Sequence, residues 1–141
     1  MTQKLYRGRL IDHLQLVTSE LSASKRFYKS VLAALGIPIG GEAEDSFWAD
    51  ELFVCDERSK GAQGKPTGRA HFAFQAESRE QVEKFYRAGI EAGGTPNGEP
   101  GERPYHPGYY AGFLLDPDGN NVEAVFHGVA KRSTPAIELE F

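Results

Sequence analysis

The sequence has a single cysteine, Cys55, among 141 residues, so an intrachain disulfide is excluded and a reducing cytoplasm is the natural compartment. With no partner arrangement around it in the pattern, Cys55 reads as a buried or incidental thiol and not as a nucleophile. An excess of positive charge is also lacking. Lys and Arg number 16 against 20 Asp and Glu, the net charge is −4, and the signs are interleaved. That balance leaves no basic footprint for nucleic acid and no polybasic patch for a membrane surface. No apolar run approaches the roughly 20 residues of a membrane span, and residues 1–7 carry no signal-peptide core. Apolar material is sufficient, at 40% hydrophobic and 11% aromatic, to bury a core in one domain over residues 1–141.

An internal repeat at an offset of 58 residues organises the chain. His13 matches His71, Phe27 and Tyr28 match Phe85 and Tyr86, Gly36 matches Gly94, Pro38 matches Pro96 and Gly40 matches Gly98. Each copy reads as a strand, a helix, a glycine and proline exit, and further strands. The first helix, expected over 22–35, repeats apolar positions at Phe27, Val31 and Leu35 and ends at Gly36. The second opens with Ser78 and Gln81 in capping-box spacing and buries Val82, Phe85, Tyr86 and Ile90. The copies occupy 9–55 and 69–127, and the polar, glycine-rich residues 56–68 link them. A second glycine- and proline-rich stretch, 97–108, reads as a long surface loop, a rim over a site or a plain connection. The tail, 131–141, is read either as an edge strand or as loose chain.

The stretch 109–127 reads as a hairpin whose turn is Asp116, Pro117, Asp118 and Gly119, residues suited to those positions. Alternation in its second strand puts Val122, Ala124 and Phe126 on one face and Glu123, Val125 and His127 on the other. If helices cover one side of each sheet, the other sides carry His13 with Gln15, His71 with Gln75, and Glu123. Two imidazoles and one carboxylate from three strands form a facial triad able to hold Fe(II), Mn(II), Zn(II) or Ni(II) with positions open for substrate. Hydrogen-bonded structural histidines are the competing reading.

These residues carry a resemblance. Ile11, Asp12, His13 and Leu14, the paired Phe27 and Tyr28, His71 to Phe74, and Asp116 to Glu123 resemble the vicinal oxygen chelate superfamily over residues 9–127. That group includes glyoxalase I, bleomycin-resistance proteins, fosfomycin-resistance enzymes and extradiol dioxygenases. The resemblance implies an α+β fold of two βαβββ modules whose sheets curl around a cavity, with metal ligands at His13, His71 and Glu123. Glyoxalase I uses a fourth ligand, a glutamate or histidine late in the first module. The matching strand here, 47–55, offers Phe47, Trp48 or Phe53 at the inward position, with Asp50 and Glu51 as possible fillers.

Tyr105, His106, Tyr109 and Tyr110 precede the hairpin. Tyr110 is the expected proton-transfer or oxyanion partner beside Glu123, since it is read as starting the inward face of its strand. His127 lies too far along the strand to share the metal, and Gln15 and Gln75 read as supports or substrate contacts. The expected function is therefore a divalent-metal-dependent lyase or isomerase, similar to lactoylglutathione lyase, acting on a small substrate with vicinal oxygens. An Fe(II) extradiol-type dioxygenase and a metal-free drug-binding protein of the bleomycin-resistance kind are the alternatives. A homodimer is expected, with neither nucleic acid nor membrane as partner.

Overall fold

The computed structural model describes residues 4–7, 9–132 and 136–140. The elements are β1 (Lys4–Arg7), β2 (Leu14–Thr18), α1 (Leu21–Ala34), β3 (Gly41–Ala43), β4 (Ser46–Ala49), β5 (Leu52–Asp56), β6 (His71–Gln75), α2 (Arg79–Glu91), β7 (Thr95–Glu102), β8 (Tyr110–Leu115), β9 (Asn121–Phe126) and β10 (Ile137–Glu140). The repeat is a repeat of structure. Sheet order β2-β5-β4-β3 in the first copy recurs as β6-β9-β8-β7 in the second, with β2 parallel to β5 and β6 parallel to β9. The tail contributes a strand after all, β10, paired antiparallel with β1 in a ribbon of its own.

Period-two patterning decides which face of each sheet is covered. Leu16, Phe47, Leu52 and Val54 from one sheet and Val122, Ala124 and Leu114 from the other are buried in one core with Phe27, Tyr28, Val31, Val82 and Phe85 of the helices. Both sheets thus turn their apolar faces toward a shared helical layer. Close packing there depends on small residues. A Cβ on Gly89 of α2 would lie 2.1 Å from Leu114 Cδ1 and 2.9 Å from Val31 Cγ1, so only hydrogen fits between helix, helix and strand. Ser78 caps α2 as its spacing requires, accepting from Gln81 N–H at 3.1 Å, while Gln81 Oε1 accepts from Glu77 N–H at 2.8 Å.

Two expectations change. The sheets do not curl into one closed wall around a site; they remain separate four-stranded sheets, because the helical core between them occupies the apolar side of both. The stretch 97–108 is not all loop, since β7 runs through Thr95–Glu102 at the sheet edge with register shifts at Pro96/Gly98 and Gly98/Gly101. Proline and glycine are tolerated there because an edge strand can bulge.

The link 56–68 is tied down. Thr67 N–H donates to Val17 O and Thr67 Oγ1 accepts from Val17 N–H, adding the link to the free edge of β2. Asn120, 1% exposed, donates to Thr67 O and accepts from Ala70 N–H.

Candidate metal centre and active site

The hairpin β8–β9 sets the site. The turn closes through Gly119 N–H to Asp116 O at 3.0 Å, and the register that follows pairs Phe113 with Glu123, Ala111 with Val125 and Tyr110 with Phe126. Glu123 therefore stands on the face opposite the helices, beside Phe113 and Ala73, yet it is only 3% exposed. A carboxylate so shielded needs partners. One is Tyr109, whose phenol donates to Oε2. The other is His71, at the start of β6, with Nε2 3.2 Å from Oε1.

The His71 ring is held on both sides. It stacks on Phe113 at 6.1 Å and 27°, and its Nδ1 lies 3.0 Å from the Asn121 carbonyl oxygen. Only an N–H can bond a carbonyl, so Nδ1 carries a proton, and whenever the ring is neutral Nε2 is a lone pair. That lone pair faces a carboxylate oxygen. Two acceptors converging in this way require a proton or a cation between them, and a backbone carbonyl orienting the far ring nitrogen is the usual support of a metal-bound imidazole. The pair fits a divalent ion on donor chemistry.

His13 is elsewhere. It lies just before β2, on the other sheet, with its ring 64% exposed and Nδ1 2.7 Å from Asp12 Oδ1. It lines a cavity of about 460 Å³ with Gln15, Trp48, Asp50, Leu52 and Phe53. His71 and Glu123 are not part of that cavity, and among the described residues no cluster of three or more His, Cys, Asp or Glu gathers in one place. The structure thus brings two of the three expected ligands together within the chain and sets the third on the separate open face.

The repeat also locates the first-copy residue equivalent to Glu123. Leu14 pairs with Leu52 and Gln15 with Phe53, as Phe72 pairs with Val122 and Ala73 with Glu123. Phe53 thus stands where Glu123 stands in the second copy, and β5 offers a phenyl ring in place of a carboxylate.

Tyr110 requires correction. The register puts it on the helix-covered face, with Arg79 4.5 Å over its ring and its hydroxyl 3.4 Å from Glu83. A shift of one residue reverses the face of a strand position, and Tyr109 is the tyrosine that meets Glu123. Burial, reinforced by the Glu123 hydrogen bond and charge, pushes its phenol up to about 12. Tyr109 is in turn packed edge-on by Tyr105, His106 and His127, at ring separations of 4.9, 5.4 and 5.4 Å.

His127, outside the metal pair as expected from its distance along the strand, has a partner of its own. His106 donates from Nδ1 to Pro107 O, so its Nε2 accepts from His127 Nδ1 at 2.9 Å. This bond pins the loop before β8 to the end of β9. Gln75 accepts from Arg132 at 2.6 Å, and Gln15 donates to Gly61 O at 3.1 Å with Cys55 Sγ 3.3 Å away. Cys55 is buried. No helix among the described residues is long and apolar enough to cross a membrane.

The sequence model for the Glyoxalase/Bleomycin resistance protein/Dioxygenase superfamily matches residues 10–124. Among solved structures, a glyoxalase/bleomycin resistance protein from Albidiferax ferrireducens T118 is 30% identical, over 82% of this chain and 97% of that one, with a TM-score of 0.69. A glyoxalase-related enzyme from Fulvimarina pelagi shares the fold at 18% identity, over 93% and 97% of the two chains, with a TM-score of 0.68. So does a lactoylglutathione lyase from Agrobacterium tumefaciens, at 19% identity, over 83% and 92%, with a TM-score of 0.61. A search of curated proteins returns no match. With the family model spanning most of the chain and the repeated sheet topology reproduced, this chain belongs to the glyoxalase/bleomycin resistance protein/dioxygenase superfamily.

Proposed function

We propose that the protein is a divalent-metal-dependent enzyme acting on a small substrate with adjacent oxygen functions, by lyase or isomerase chemistry of the lactoylglutathione lyase kind. The observation that carries this reading is the His71 lone pair facing the shielded Glu123 carboxylate. An ion, Zn, Ni, Mn or Fe(II), would be held by His71 and Glu123 of one protomer and His13 of the partner subunit, since a chain's own His13 lies on the far open face. The unit is therefore a two-fold dimer with shared sites. A bound ion supplies Lewis acidity to two neighbouring substrate oxygens.

The chain's own groups handle the proton. Glu123, nearly dry, accepts it from the carbon beside those oxygens. Tyr109, protonated at neutral pH, spends its one O–H on the carboxylate and so orients Glu123 for the transfer. Protein purified without chelator is expected to carry divalent metal, and His71→Ala or Glu123→Gln to lose it with little change in the melting temperature of the metal-free form. Absence of divalent-metal binding at micromolar free concentration would refute the proposal and leave metal-free drug binding as the reading.

One observation favours a second chemistry. With Phe53 in the fourth position, the donor set is two imidazoles and one carboxylate, which is also the set of non-haem Fe(II) oxygenases. Turnover that consumes oxygen and returns only with Fe(II) or Mn(II) would identify a dioxygenase. Turnover that persists without oxygen and returns with Zn(II) or Ni(II) would identify a lyase or isomerase.

A further inference from the structure

The open face of the first sheet carries an aromatic surface that the metal site does not account for. Trp48 and Phe53 stand directly opposite each other on β4 and β5, their rings 6.2 Å apart and within 16° of parallel. Both are half-buried and line the cavity beside His13. The indole is folded down over β3. A Cβ on Gly41, the cross-strand neighbour of Trp48, would sit 2.4 Å from Cζ2 and 2.7 Å from Cε2, so the ring occupies the space above the Gly41 backbone and any side chain there would lift it. The ring is half-buried and borders the cavity.

We infer that this surface is a subsite for a flat ring in the substrate, and that the enzyme acts on an aromatic or heteroaromatic compound whose vicinal oxygens lie toward His13. The inference rests on the proposed function and deepens it. At equivalent positions one copy places the Glu123 carboxylate and the other the Phe53 ring, so in the proposed dimer the first-sheet face of one protomer and the second-sheet face of its partner hold different parts of one molecule. Stacking on a fixed ring needs no particular substituent pattern, and selectivity for the ring comes from shape and apolar contact.

Trp48 is the chain's one tryptophan, so its fluorescence reports the subsite directly. Lactamide and mandelamide are neutral, share the same vicinal oxygens, and differ in a methyl against a phenyl group. Titrated into the full-length purified protein, mandelamide is expected to change Trp48 emission saturably and to bind about tenfold tighter than lactamide. Phe53→Leu, which keeps an apolar side chain, should remove most of that difference. Equal affinity for the two amides, no saturable change with mandelamide, or an unaltered difference in Phe53→Leu would overturn the inference. Metal content is measured on the same samples. Metal without ring preference defeats the subsite alone, and ring preference without metal defeats the proposed chemistry alone.

Discussion

The Tyr28 hydroxyl donates to Oδ2 of Asp116 at 2.5 Å, joining the helix of the first copy to the hairpin turn of the second, 88 residues away. Asp116 is 6% exposed and Tyr28 is fully buried. The same carboxylate accepts from Asn120 Nδ2 and from the backbone N–H groups of Asp118 and Asn120. Asp118 meanwhile accepts from the hydroxyls of Thr18 and Ser19 just ahead of α1. The turn is therefore a clasp between the two copies. Burial, with the Asp116 charge beside it, holds the Tyr28 phenol well above its ordinary range.

Tyr28→Phe leaves the Asp116 carboxylate one donor short in a buried setting. Hydrogen bonds to charged groups contribute about 1.5–3 kcal/mol, so a loss of about 2 kcal/mol is expected in urea unfolding. Since Asp116 also fixes the hairpin register, Asp116→Ala should cost more than Tyr28→Phe. The reverse order would mean that the turn holds itself without its carboxylate.

Much of this architecture was legible in the sequence because it follows from periodicity. The 58-residue repeat is reproduced closely by β2–α1 and β6–α2, and alternation in β9 put Glu123 opposite the core. What was not legible depends on register and on long-range placement. Tyr110 was assigned by counting from the start of its strand, whereas pairing through the turn decides it. The signal was present, because Phe126 belongs to the apolar face and Tyr110 is its cross-strand partner. The separation of His13 from His71 had no signal of that kind. It follows from both sheets packing on the same helical layer, which a single chain's pattern of apolar residues does not specify. The clasp at Asp116 was read only as a turn, since its partners lie in the other copy.

Tyr109 supplies a prediction in pH. Its phenol is raised from an ordinary value near 10 to about 12. A group that holds its proton more tightly when folded adds stability that is fully present below about pH 10 and is lost as pH rises from 10 toward 12. In chelator-treated protein, the ultraviolet difference titration between wild type and Tyr109→Phe should show one phenolate appearing near pH 12. A wave near pH 10 would mean that Tyr109 does not donate to Glu123 in solution.

Gly89 tests the helix packing. In an exposed helix, alanine in place of glycine is favourable by about 1 kcal/mol. Here the new methyl meets Leu114 and Val31 at 2.1 and 2.9 Å, and overpacking of this kind costs about 1–3 kcal/mol. Gly89→Ala should therefore lower stability by about 1 kcal/mol net, seen as a lower denaturant midpoint with an unchanged slope. A stabilised variant would show that the two helices can separate freely.

The sharing of sites between subunits is testable by mixing. His13→Ala lacks one ligand in every site of its dimer, and so does His71→Ala, so each variant alone should bind little metal. When the two are unfolded together and refolded at equal concentrations, half of the dimers contain one chain of each kind. In such a dimer, the site built from the His13→Ala chain's intact His71 and Glu123 and the other chain's intact His13 is complete, while the opposite site carries both defects. Half of the dimers with one good site of two gives about a quarter of all sites restored. If His13 instead joined His71 and Glu123 of its own chain, every site in the mixture would still lack a ligand and nothing would be regained. Metal content of the refolded mixture, with sedimentation to establish that mixed dimers form, separates the two cases: a 15.5 kDa species alone, or mixed dimers without recovered metal, would reject the shared site.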